Sequence, residues 1–171
     1  MSLYKHLPSS QQLDDLVAAL VVDGKTPVDV REKETRLFRC TWTEGCTRIL
    51  QLINNRVSAS GTISEGFANC IQKIDEIKAA VPWATVKRPE KNPALLIHES
   101  GHLATLPDEI AIIVPALPTP EGATLKMWRL KGDHYEEAAM APGLTILFES
   151  VVFTATGGVP FIMLLLPMSK G

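Results

Sequence analysis

The C-terminal end of the chain carries the strongest constraint on the fold. From Ser150 to Ser169 the sequence SVVFTATGGVPFIMLLLPMS runs for twenty residues without a formal charge. A helix of that length would span a bilayer. The interior of the run opposes a helix, because Thr154, Thr156, Gly157, Gly158 and Pro160 weaken or break one. The same residues read as two strands of a buried hairpin around a Gly157-Gly158 turn. Its second strand, FIMLLLPM, is then a buried central strand or an apolar edge suited to self-association. A tail anchor, or peripheral membrane contact through 150–169, is the alternative reading.

Composition narrows the rest. The chain has 171 residues, of which 46% are hydrophobic and 21% charged, so it can bury a core without staples. Seventeen basic against nineteen acidic side chains give a net charge of −2. Counterion release needs a concentrated basic surface, so no specific nucleic-acid partner is expected. The N-terminus, MSLYKHLPSSQQLDD, lacks the apolar stretch of a signal peptide, and an intracellular, cytoplasmic protein is expected. Cys40, Cys46 and Cys70 show no CxxC spacing and read as reduced core thiols.

The expected fold class is α+β, a single domain over 1–171 that is helix-rich in 1–92 and strand-rich in 93–171. About three N-terminal helices are expected to pack on a mostly antiparallel C-terminal sheet. Ser9 or Ser10 can cap a first helix bearing Leu13, Leu16, Val17 and Leu20, stopped by Asp23-Gly24. RLFRCTW alternates, with Phe38, Cys40 and Trp42 on one face of a strand. Thr43 can cap a second helix with Cys46, Ile49, Leu50 and Ile53. Thr62-Ile-Ser-Glu65 has capping-box spacing and opens a third, with a stripe of Ile63, Phe67, Cys70, Ile71, Ile74 and Ile77. After the linker VKRPEKNP (86–93), EIAIIVPAL and GLTILFESVVF read as strands. LKMWRLKGDHYEEAAM reads as a hairpin about Gly132-Asp133, with Trp128 and Tyr135 paired across it.

One motif carries chemistry. His98-Glu99-Ser100-Gly101-His102 matches HExxH. On a helix, positions i and i+4 share a face, so both imidazoles can hold one zinc ion while the intervening Glu acts as general base on the bound water. Over these five residues and the apolar approach Leu95-Leu96-Ile97, the segment resembles the zinc-binding helix of the zincin metalloproteases. That resemblance implies a small intracellular zinc peptidase, with His98 and His102 as ligands and Glu99 as catalytic base. The metzincin extension is missing, since Thr105 and Asp108 stand where Gly and His are needed. A third ligand would come from Asp133, His134, Glu136 or Glu137. The same residues also read as a hairpin, LLIHE and HLATL flanking Ser100-Gly101, which would point the two histidines to opposite faces.

Other constellations are thinner. No GxSxG, Walker lysine, GxGxxG or EF-hand loop occurs in the sequence. The adjacent carboxylates Asp14-Asp15, Asp75-Glu76 and Glu136-Glu137 read as solvated faces. Arg31, Lys33, Arg36 and Arg39 form a basic cluster, diluted by Asp29, Glu32 and Glu34. The leading expectation is therefore a non-enzymatic assembly or interaction protein: a small structural subunit, a viral or phage structural (virion) component, or a specific inhibitor. It would act through protein–protein contacts with a partner or with itself, as a homo-oligomer, and need no cofactor. The zinc peptidase and the membrane-associated protein are the alternatives.

Overall fold

The middle of the described structure is a sheet with an apolar core on each face, covered by described helices on one side and by a second sheet on the other. A computed structural model describes residues 2–29, 34–53, 93–116 and 122–167. The first half contributes β1 (Tyr4–Pro8), α1 (Gln11–Ala18), β2 (Thr26–Pro27), β3 (Arg36–Arg39) and α2 (Glu44–Ile53). The second half contributes β4 (Ala94–Ser100), β5 (Leu103–Ala104), β6 (Glu109–Pro115) and β7 (Thr124–Arg129). It continues with β8 (Tyr135–Ala139), β9 (Gly143–Leu147), β10 (Val151–Ala155) and β11 (Phe161–Pro167). The architecture is α+β, with sheets whose described pairings are antiparallel.

Among the described residues, seven strands form the large sheet in the order β1-β9-β6-β11-β4-β3-β2, and four form a small sheet in the order β5-β10-β7-β8. N-terminal strands thus enter the large sheet, which is not purely C-terminal as the sequence suggests. Strand β6 shows why this sheet lies in the middle: every residue from Glu109 to Pro115 is buried. Ile110, Ile112 and Val114 face one way, into a core with Leu13 and Val17 of α1 and Cys46, Ile49 and Leu50 of α2. Ala111 and Ile113 face the other way, into a core with Leu125, Met127, Val151, Phe153 and Phe161. The layers are therefore helices, large sheet, small sheet. Each fully buried Ile, Leu or Phe contributes about 1.5–3 kcal/mol of transfer free energy.

Both described helices follow from their sequences. Ser10 caps α1 by accepting a hydrogen bond from Leu13 N at 3.2 Å, and Leu13 and Val17 turn inward. The helix ends at Ala18, before the expected Asp23-Gly24 stop, and Leu20 packs on the core from beyond it. The third expected helix and most of the 86–93 linker lie outside the described residues. Strand β3 places Leu37 in the core between the sheets and Cys40, just past its end, in the core beneath the helices.

Two expected hairpins are corrected. The described part of the run, 150–167, does form two strands, but β10 belongs to the small sheet and β11 to the large one, so they do not pair with each other. Strand β11 is the central strand of the large sheet, between β6 and β4, and not an apolar edge. A helical tail anchor across 150–167 is replaced by these strands, and among the described residues no helix is long and apolar enough to cross a membrane. Likewise Ser100-Gly101 carries the chain from β4 in the large sheet to β5 in the small one. Three such crossings turn on a left-handed residue: Gly101 (φ 82°), Ser150 (φ 57°) and Gly157 (φ 90°). At Gly101 a Cβ would collide with the Cα of Thr35, so glycine is required there on two counts. The Gly132-Asp133 hairpin forms as expected, with Trp128 directly opposite Tyr135.

Candidate functional site

The HExxH residues lie on extended backbone, since His98 and Glu99 belong to β4 and His102 follows the Gly101 turn. The helix on which the zincin resemblance depends does not form. In a strand, neighbours point to opposite faces, and that alternation separates the three side chains.

His98 points between the sheets and is 1% exposed. Its Nε2 lies 2.8 Å from the Ser100 carbonyl and its Nδ1 accepts from the N–H of Ala155 at 3.2 Å. A carbonyl can only accept, so Nε2 carries the proton and the ring is neutral. Burial lowers the pKa of His98, with backbone hydrogen bonding to Ser100 opposing the shift and the nearby His102 adding to it. This imidazole ties β4 of the large sheet to β10 of the small one.

Glu99, on the opposite face of β4, pairs with Lys25 and with Arg36, the latter at 3.7 Å. The hydrogen bond from Lys25 holds its carboxyl below the ordinary range, helped by Arg36. Lys25 also sits 4.0 Å above the ring of Phe38. These contacts make Glu99 one member of a surface charge network.

His102 is exposed. Its Nδ1 lies 2.9 Å from the Thr154 hydroxyl, which donates its own proton to the Gly101 carbonyl at 2.9 Å. With that proton committed, Nδ1 of His102 is the donor. The suggested third ligands are engaged elsewhere. Glu136 accepts from the Leu3 N–H and the Ser2 hydroxyl and lies 3.2 Å from His134 Nε2. Burial works against its carboxylate, and these hydrogen bonds outweigh it, so the pKa is lowered. Glu137 accepts from the Tyr135 hydroxyl at 2.7 Å, which pushes the phenol pKa up. Asp133 is exposed in the β7–β8 turn. Among the described residues no group of three or more His, Cys, Asp or Glu is placed to hold a metal ion. With both nitrogens of His98 used by the main chain, this donor set does not fit a zinc ion.

The residues that the structure does bring together lie on the outer face of the small sheet. There the rings of His102 and Trp128 meet in a T-shaped arrangement, centroids 5.4 Å apart at an interplanar angle of 83°, and Trp128 meets Tyr135 at 5.5 Å. The inward face of the same strands carries Leu125, Met127, Val151 and Phe153, so the aromatic file is left on the side away from the core. At one end of this sheet Leu106 and Leu130 stand 58% and 51% exposed, both joined through backbone hydrogen bonds to Ser150. Spacing identifies the Trp128–Tyr135 pair, because both flank a two-residue turn signal. The addition of His102 is not legible in sequence, since it depends on the crossing at Gly101. No protein-family model matches the chain, and no curated protein matches it either.

Proposed function

We propose that the protein is a non-enzymatic assembly or interaction protein that works inside the cell through protein–protein contacts, self-association among them. The observation that carries this reading is the file His102–Trp128–Tyr135 on the outer face of the small sheet, with exposed Leu106 and Leu130 at one end of that sheet. Trp and Tyr supply large contact area at low entropic cost and dominate the centres of interfaces. Adjacent exposed leucines extend the apolar surface of such a patch. The neighbouring strand β8 is the edge of the small sheet and bears Glu136 and Glu137, which discourage indiscriminate strand pairing and leave the face itself as the contact surface. The buried thiols Cys40 and Cys46 are free, in keeping with a reducing compartment.

Sedimentation velocity over a wide range of protein concentration tests the reading. The wild-type chain is expected to shift toward a dimer or larger species, and Trp128→Glu to remain monomeric with an unchanged circular dichroism spectrum. A wild-type chain that stays monomeric throughout removes self-association from the proposal. Association that survives Trp128→Glu moves the contact surface elsewhere.

A further inference from the structure

On a different part of the molecule, a cleft of about 740 Å³ opens against β3, β4 and the end of β11. Its wall is apolar: Leu37, Leu96, Met163 and Leu165 present side chains on the face of the large sheet turned toward the small one. Trp42 closes one side, and its indole N–H is already used, donating to the Thr47 hydroxyl at 3.0 Å. Burial pushes the Cys40 thiol up, so the thiol in the same wall stays neutral.

Among the described residues that line this cleft, Arg39 is the single charged one. It also borders the adjoining hollow of about 450 Å³ beside Gly24 and Asp29. Two other described cations of this corner are paired, because Lys25 and Arg36 both meet Glu99. The Arg39 guanidinium makes no ion pair or hydrogen bond among the described residues, Asp29 included. An apolar cavity of this size with one convergent polar group has the make-up of a small-molecule site. The guanidinium matches a carboxylate with two parallel hydrogen bonds.

We propose that this cleft binds a free aliphatic carboxylate of the fatty-acid class, its chain lying along Leu37, Leu96, Met163 and Leu165 and its headgroup on Arg39. The proposal does not depend on the contact surface of the small sheet. Calorimetric titration of the full chain with octanoate, decanoate and dodecanoate, each kept below its micelle concentration, tests it. Affinity is expected to rise about fourfold for each added methylene that is buried. Arg39→Ala is expected to weaken dodecanoate about tenfold or more, while leaving dodecanol, which lacks the charge, unchanged. Arg39 is exposed, so this variant keeps its fold. Met163→Trp, which fills the cleft, is expected to abolish binding of both compounds.

Three results would overturn the proposal. One is equal binding of dodecanoate and dodecanol by the wild type. Another is an Arg39→Ala chain that binds dodecanoate as before. The third is no uptake of any chain length, which is the behaviour of a cleft that is already closed in solution.

Discussion

The two sheets make different demands on their strands. Strand β6 in the large sheet is buried on both faces, whereas β10 in the small sheet alternates buried and half-buried residues along its length. A continuous apolar run fits only the middle layer, and an alternating run fits only an outer one. This assigns β10 and β11 to different sheets although they are neighbours in sequence. Where both arms alternate, as in β7 and β8, the turn between them makes a true hairpin. Partnership between strands is therefore decided by how many apolar faces each one has. The turn residues only permit it.

The largest test of that contrast is truncation in the middle layer. Phe161→Ala is expected to lower stability by about 3–5 kcal/mol in urea denaturation, and Val152→Ala on the outer face by less than about 1 kcal/mol. Equal losses would mean that the layers do not differ in packing. Next in size is the tie between the sheets. His98→Leu strands the Ala155 N–H and the Ser100 carbonyl, and a cost of about 1–3 kcal/mol is expected.

The same tie predicts a pH dependence. Burial lowers the pKa of His98, and of His6, where a hydrogen bond to the Pro142 backbone partly offsets it. The unfolded chain takes up these protons near the ordinary value of about 6.5. Stability is therefore complete above that pH and is lost as the pH falls through it toward the folded values. Urea midpoints at pH 7.5 and 5.5, as rough bracketing values around that pKa, should show the drop. The His98→Leu chain should keep only the share due to His6, and an undiminished drop in that variant would remove His98 as its source.

Smaller still is the pairing of Trp128 with Tyr135. A double-mutant cycle is expected to give a coupling of about 0.2–1 kcal/mol. The smallest effect is expected at Glu99→Gln, where the exposed pairs with Lys25 and Arg36 are screened by solvent. Its difference from wild type should vanish in high salt, and a loss that persists there would place Glu99 in a structural role beyond those pairs.

Much of the local structure is legible in the sequence. The Ser10 cap, the inward residues of both described helices, the β7–β8 hairpin and the two-strand reading of the C-terminal run all follow from spacing and turn chemistry. What spacing does not convey is which layer a strand joins. Ser100-Gly101 and Gly157-Gly158 have the form of hairpin turns, yet each carries the chain across the core. The candidate site shares this limit. HExxH suggests a shared helical face, but alternation in β4 places His98 between the sheets and Glu99 on the charged surface. The Gly101 crossing then delivers His102 to an aromatic file that begins 26 positions later in the chain, at Trp128. The Arg39 cleft draws on β3, β4 and β11, elements that no local pattern connects.

The central place of β11 has a consequence for how the protein is made. On a ribosome β4 and β6 emerge well before the strand that will lie between them, and β1 waits for β9. The large sheet can therefore close only after residues 161–167 have left the exit tunnel. Until then the doubly apolar β6 has no neighbour in its final register on that side. The nascent chain passes through a stage in which this doubly apolar strand is unshielded, and a shelter supplied by the cell's folding machinery would matter most over this interval.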